Sequence, residues 1–233
     1  MSVPKPQADP LVPSEPGDPG HASGHPGGRP LPPPGPVTVY PWQPALPIRT
    51  ARLALRPWRP DERADRDAFR SLLGDPAVVR FLYDPVLGPE AADAKLRIRN
   101  PSVEGPGAWM NLAVELAPGA PGAGTVVGDV GLCWPGDEHR QAEVGYTFLA
   151  VHHGHGYATE AAAALVDQAF AGLAAHRVCG RLDARNEASA RVLARLGMRH
   201  EAHLVQNEWV KGEWTDEAVY AVLADEWAAR RPD

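Results

Sequence analysis

The stretch His153-Gly154-His155-Gly156-Tyr157-Ala158-Thr159-Glu160-Ala161 constrains this chain more than any other. Two glycines leave the backbone free to turn tightly and to approach a ligand closely. Helix formers follow at once, and Ala161, Leu165, Ala169 and Leu173 recur at four-residue steps on one face. The strand-like run Ala142-Glu143-Val144-Gly145-Tyr146-Thr147-Phe148-Leu149 precedes the turn. A second strand-like run, Arg177-Val178-Cys179-Gly180-Arg181-Leu182, follows the helix. Strand, helix and strand in that order predict a parallel crossover unit. A helix that starts just after such a turn presents unbonded N–H groups and the positive end of its dipole, which together make an anion site.

Which anion is bound is narrowed by what the chain lacks. Its formal charge is −6, so no basic field recommends nucleic acid or an anionic membrane as partner. No apolar run approaches the roughly 18 residues of a spanning helix, and the first residues carry no apolar signal core. The two cysteines, Cys133 and Cys179, sit in apolar strand-like surroundings and read as buried free thiols of a reducing, cytoplasmic setting. No CxxC pair occurs, and His152, His153 and His155 match no zinc spacing, so no metal is expected.

Fifteen of the 26 prolines precede Arg49. Residues 1–47 hold too few large apolar side chains to offset chain entropy and read as a disordered, polyproline-like arm, with Tyr40-Pro41-Trp42 able to dock locally. The folded domain is expected over 48–230. Alternation over Arg52–Trp58 predicts a strand. Helices are expected from Pro60-Asp61 to Leu73, from Ala77 to Leu82 and from Pro89 to Arg99, walling a cleft. Strands are expected over Trp109–Leu116, Thr125–Trp134 and Ala142–Leu149 as an antiparallel meander. A helix from Asn186 to Leu196 ends on Gly197 as its left-handed residue. Two last strands, about Ala202–Val210 and Trp214–Leu223, flank Lys211-Gly212 as a tight hairpin.

Four ordered motifs together resemble the GNAT superfamily of acyl-CoA N-acyltransferases: Ala142–Tyr146, Gly154–Ala161, Asn186–Leu193 and Leu196-Gly197-Met198. The opening Ala51–Pro57 and the closing Trp209–Trp214 look like the branch that includes the ribosomal-protein N-terminal alanine acetyltransferases. The resemblance spans about 48–228 and implies a mixed α/β fold. Its central sheet would have about seven mostly antiparallel strands, splayed at the acyl-CoA site, with helices on both faces. It implies acetyl-CoA as co-substrate, an amine acceptor, no nucleic acid or membrane partner, and compatibility with a homodimer. The CoA pyrophosphate would lie on His153, Gly154, His155, Gly156, Tyr157, Ala158 and Thr159. Phe148, Leu149 and Ala150 would run along the pantetheine arm, and Asn186 would bond that arm or nearby backbone.

Two departures from the family pattern stand out. Val151 occupies the position of the family's Gln or Arg before the first glycine, and Leu193 that of its tyrosine acid. Ser189 shares a helix face with Asn186 and becomes the candidate partner of the departing thiolate. The attacking amine must be neutral, and Glu143, on the same strand face as Gly145, is the candidate base. The resemblance implies N-acetyl transfer by direct attack in a ternary complex, onto a protein N-terminus or a small-molecule amine. Alternatives are an acyl-CoA sensor without catalysis, or transfer of another acyl group. A dinucleotide module would need a third glycine where Thr159 stands.

Overall fold

The computed structural model describes residues 38–136, 138 and 140–230. Most of the expected Pro-rich arm lies outside the described residues. Its last part belongs to the fold, because Tyr40, Trp42 and Leu46 pack against the core and Trp42 bridges to Val103.

Eight strands form one sheet in the order β1-β2-β3-β4-β5-β6-β8-β7. They are β1 (Ile48–Arg49), β2 (Leu53–Arg56), β3 (Trp109–Leu116), β4 (Val126–Cys133), β5 (Gln141–Phe148), β6 (Arg177–Asp183), β7 (Arg199–Val210) and β8 (Glu213–Leu223). The eighth, beyond the seven expected, is the two-residue β1, which pairs Ile48 with Leu55. All pairings are antiparallel except β5 with β6. The crossover helix α4 (Tyr157–Gly172) links that parallel pair. Ala161, Leu165 and Ala169 are all 0% exposed, so the four-residue stripe is the face that packs on the sheet. Helix α5 (Glu187–Arg195) packs on the same core through Leu193, and Gly197 follows it at φ 75°.

The opposite face is covered by α1 (Arg63–Gly74), α2 (Pro76–Val79) and α3 (Pro89–Arg97). Phe69, Leu72, Leu73, Val79 and Leu96 join Ala113 and Val126 in a second apolar cluster. Helix α2 is shorter than the predicted Ala77–Leu82, a single turn capped by the Asp75 side chain accepting from the Ala77 N–H. Buried Arg56 pins α1 to β2 by a two-pronged pair with Asp65, at 2.7 and 2.8 Å, and a third contact to Glu115. The β7–β8 turn has Lys211 at φ 51° and Gly212 at φ 86°, the primed geometry that matches strand twist. At that turn Lys211 Nζ donates to the Val79 carbonyl at 2.6 Å, tying the hairpin tip to the end of α2.

Candidate active site

Strand β5 pairs with β4 from Glu143 to Phe148, but with β6 only at Gln141, Ala142 and Glu143. Beyond Glu143 and Cys179 the two parallel strands separate. The edge of β5 from Val144 to Phe148 therefore has no strand neighbour on the β6 side. A sheet that opens in this way exposes backbone N–H and C=O groups that must find another partner.

The glycine turn lies at the wide end of this opening. Gly154 has φ 80° and Gly156, the N-cap of α4, has φ 79°, a region that L side chains rarely adopt. A Cβ added to Gly154 would meet nothing within 4 Å, so its space is open. Helix α4 has no side-chain cap. Among the described residues, the N–H groups of Gly154, His155, Gly156, Tyr157, Ala158 and Thr159 make no hydrogen bond; the first N–H satisfied by the helix is that of Glu160. The Thr159 hydroxyl is buried there without a partner. Six consecutive donors and an orphaned hydroxyl, at the positive end of a 16-residue helix, fit a large anion such as a pyrophosphate.

Neighbouring side chains brace the turn. His153 Nε2 lies 2.9 Å from the Phe148 carbonyl, and His155 Nδ1 lies 2.9 Å from the His153 carbonyl. Desolvation, then His155 and His153, hold the His152 imidazole below its ordinary pKa, so it brings little charge to an anion at neutral pH. Sequence reasoning missed Arg52. Its guanidinium grips Glu160 at 2.7 Å, donates to the His155 carbonyl at 2.9 Å and stacks over Tyr157 at 4.9 Å. Thr50 adds a 2.6 Å bond to Glu160. Desolvation pushes the Glu160 carboxyl up, but the Thr50 and Arg52 bonds outweigh it and hold the group below its usual range. A carboxylate in the first turn of α4 would repel an incoming anion, and Arg52 neutralises it.

Two residues expected to offer free backbone to a ligand are already engaged. The Leu149 N–H donates to the Val127 carbonyl, and Ala150 opens a short 3-10 turn. The part of β5 without a β6 partner is Val144–Phe148, which includes the expected Phe148. Asn186 caps α5, its side chain accepting from the Ser189 N–H at 3.1 Å. Ser189 Oγ lies 2.8 Å from the hydroxyl of Tyr146, which also donates to the Ser189 carbonyl at 3.0 Å. Leu193, in the place of the family's acid, is 1% exposed, and its methyl groups fill the space above Gly180.

Glu143 faces the α1–α3 side of the sheet, with Cys133 and Cys179 as its register partners on either side. Both thiols are free; Cys133 is buried and Cys179 only half-buried. Two strand spacings, about 10 Å, separate them, which is too far for a bridge. Burial, then Glu143, pushes the Cys133 thiol up to about 12, so it stays protonated.

Gly131 and Gly145 pair in register, and the Trp109 ring lies across both. A Cβ on Gly145 would come within 3.2 Å of that ring. Arg181 forks onto Glu217 at 2.8 and 2.5 Å, and Asn207 donates to the same carboxylate. A cavity of about 140 Å³ opens on this side, lined by Tyr83, Asp84, Arg99, Asp129 and Thr147 among others. Glu143 stands where β5 and β6 stop pairing, and Thr147, further along the same face of β5, lines the cavity.

Comparison with known proteins agrees with this geometry. Residues 52–199 match the family model described as an acetyltransferase (GNAT) domain. The uncharacterized N-acetyltransferase p20 of Bacillus licheniformis is 28% identical over 183 residues, 78% of this chain and 98% of that protein. The uncharacterized N-acetyltransferase YnaD of Bacillus subtilis is 35% identical over 85 residues, 36% of this chain; the match spans half of that relative's length. A GNAT-family acetyltransferase structure from Bacillus anthracis superposes with a TM-score of 0.66 at 26% identity, covering 77% of this chain and 99% of its own. With a family match over most of the described residues and the same eight-stranded, opened sheet, the chain belongs to the GNAT family of acyl-CoA-dependent acetyltransferases.

Proposed function

We propose that the protein transfers an acetyl group from acetyl-CoA to a primary amine, either a protein N-terminus or a small-molecule amine. The observation that carries this reading is the alignment of the unpaired β5 edge with six unbonded N–H groups at the start of α4. Residues Gly154 to Thr159 hold the pyrophosphate, and the Thr159 hydroxyl gains its missing partner there. The β5 edge, from Val144 to Phe148, hydrogen-bonds the pantetheine arm, and one of its N–H groups polarises the thioester carbonyl.

The acceptor reaches the thioester from the face that carries Glu143, Trp109 and the cavity beside Tyr83. An α-amino group with pKa near 8 or a lysine near 10.4 is mostly protonated at neutral pH, so Glu143 takes a proton from it, directly or through water. The nitrogen then bonds to the carbonyl carbon, the carbon–sulfur bond breaks, sulfur leaves as the CoA thiolate, and the nitrogen gives up its second proton to solvent. Ser189, on the opposite face, hydrogen-bonds that sulfur. Base and leaving-group partner thus stand on opposite sides of the opened sheet. No covalent enzyme intermediate is needed, since the thiols of Cys133 and Cys179 are held protonated.

The test is thiol release from acetyl-CoA with Ala- and Ser-initiated peptides, spermidine and kanamycin as acceptors. Release that requires an amine and yields its N-acetyl product supports the reading. Tight acetyl-CoA binding with no release from any acceptor would favour a sensor.

A further inference from the structure

Tyr146 is half-buried on the unpaired stretch of β5, and its hydroxyl reaches 43 residues along the chain to α5. It lies 2.8 Å from Ser189 Oγ and 3.0 Å from the Ser189 carbonyl. On the other side of Ser189, the Asn186 side chain accepts the Ser189 N–H. The Tyr146–Ser189 bond thus ties the unpaired stretch of β5 to the first turn of α5. The space where the family's acid would stand is closed, because Leu193 fills the gap left by Gly180.

Resting on the acetyl-transfer reading above, we propose that Tyr146 is a positioning residue: it orients the Ser189 hydroxyl to donate to the departing CoA sulfur. A serine hydroxyl has one proton. If that proton goes to the Tyr146 oxygen, none is left for sulfur. When Tyr146 donates to Ser189 Oγ instead, the serine proton is free to point at the thiolate as the carbon–sulfur bond breaks. The switch rotates two O–H bonds and trades the Tyr146 donation to the Ser189 carbonyl for one to Ser189 Oγ.

No proton leaves the pair. Burial, opposed by the Ser189 bond, pushes the Tyr146 phenol up to about 12. A thiol pKa lies near 8.5, so passing the phenolic proton to the thiolate would run uphill. Tyr146 and Ser189 remain neutral donors. The proton that finally reaches sulfur is the one released by the amine through Glu143 and solvent.

The test compares wild type with Tyr146→Phe, Ser189→Ala and the double variant. Thiol release is followed with the fastest acceptor of the panel above, or with water if hydrolysis is faster. Each single change should lower kcat about 10-fold, the usual worth of one hydrogen bond that matters, with KM for acetyl-CoA within about twofold of wild type. Because the two groups act as a unit, the double variant should be no slower than the slower single one. Full kcat in Tyr146→Phe, or losses that multiply in the double variant, would overturn the role. A Tyr146→Phe loss that appears wholly in KM would assign Tyr146 to packing and overturn it as well. Failure of the wild type to release thiol would instead sink the acetyl-transfer reading, so the two failures are distinct.

Discussion

In the proposed reading, the donor half and the acceptor half of the site are built in different ways. The donor half is one continuous piece of chain, Val144 to Thr159, and its working groups are backbone N–H groups. The proposed acceptor half is assembled from side chains: Trp109 on β3, Glu143 on β5, and the cavity residues of α1, the α2–α3 link, β4 and β5, with Lys211 on the Val79 carbonyl tying the β7–β8 turn to α2 and Arg181 paired with Glu217. A backbone site asks only for glycines at two positive-φ positions and a helix start, so its identity follows closely from local sequence. A side-chain site depends on which residues the register brings together, and changing one residue changes its specificity. The two halves should therefore fail separately when mutated.

The largest effect is expected on the donor side. Gly156→Glu forces a side chain into φ 79° beside Arg52 and puts a carboxylate where the pyrophosphate would lie. Acetyl-CoA affinity should fall by more than about 100-fold, the sum of backbone strain and like-charge repulsion. Gly156→Ala keeps the strain without the charge and should lose about tenfold. Calorimetric titration on variants with a native thermal transition checks both.

Next comes Glu143→Gln on the acceptor face. Loss of a general base should lower kcat by about 100-fold, while acetyl-CoA affinity stays within about twofold. Equal losses in turnover and donor affinity would erase the boundary between the halves. Restored turnover at high pH, where the amine is already neutral, would sharpen it.

A smaller change is expected from Lys211→Met. It removes the tie between hairpin tip and α2, worth about 1 kcal/mol. KM for the acceptor should rise several-fold and KM for acetyl-CoA should not move. Steady-state kinetics with each substrate varied in turn checks this.

The smallest effect is on acid stability. The Glu160 pKa is lowered in the folded chain from the ordinary 4.5, so the unfolded chain binds that proton more readily. Its contribution is complete above about pH 4.5 and is lost as pH falls through the lower folded value. Glu160→Gln should lower the thermal transition at pH 7, where the contribution is complete, and flatten its acid limb, so that the variant and wild-type profiles converge as pH falls toward about 3. An unchanged acid limb would show that the Arg52 clip does not stabilise the turn.

The same contrast explains what could be read in advance. The crossover unit, the α4 face, Gly197 and the Lys211-Gly212 hairpin all follow from local periodicity and turn chemistry, and the fold has them. The positive-φ glycine turn ahead of α4 was legible for the same reason. Arg52, Trp109 and Tyr146 were not, because each acts through a partner far along the chain: Glu160, the Gly131–Gly145 pair and Ser189. Nothing local to Tyr146 signals Ser189. Gly131 and Gly145 carried a faint signal, since glycines inside strands mark a close approach, but not what approaches. That the Leu149 N–H is taken by the Val127 carbonyl was not legible either, because that bond depends on sheet register.

The most direct test of the account is to titrate ¹⁵N-labelled protein with acetyl-CoA and map the amide shifts. The account predicts the largest changes at Gly154 to Thr159 and along Val144 to Phe148, with small ones on the β7–β8 hairpin. Shifts centred elsewhere, or none at saturating acetyl-CoA, would contradict it.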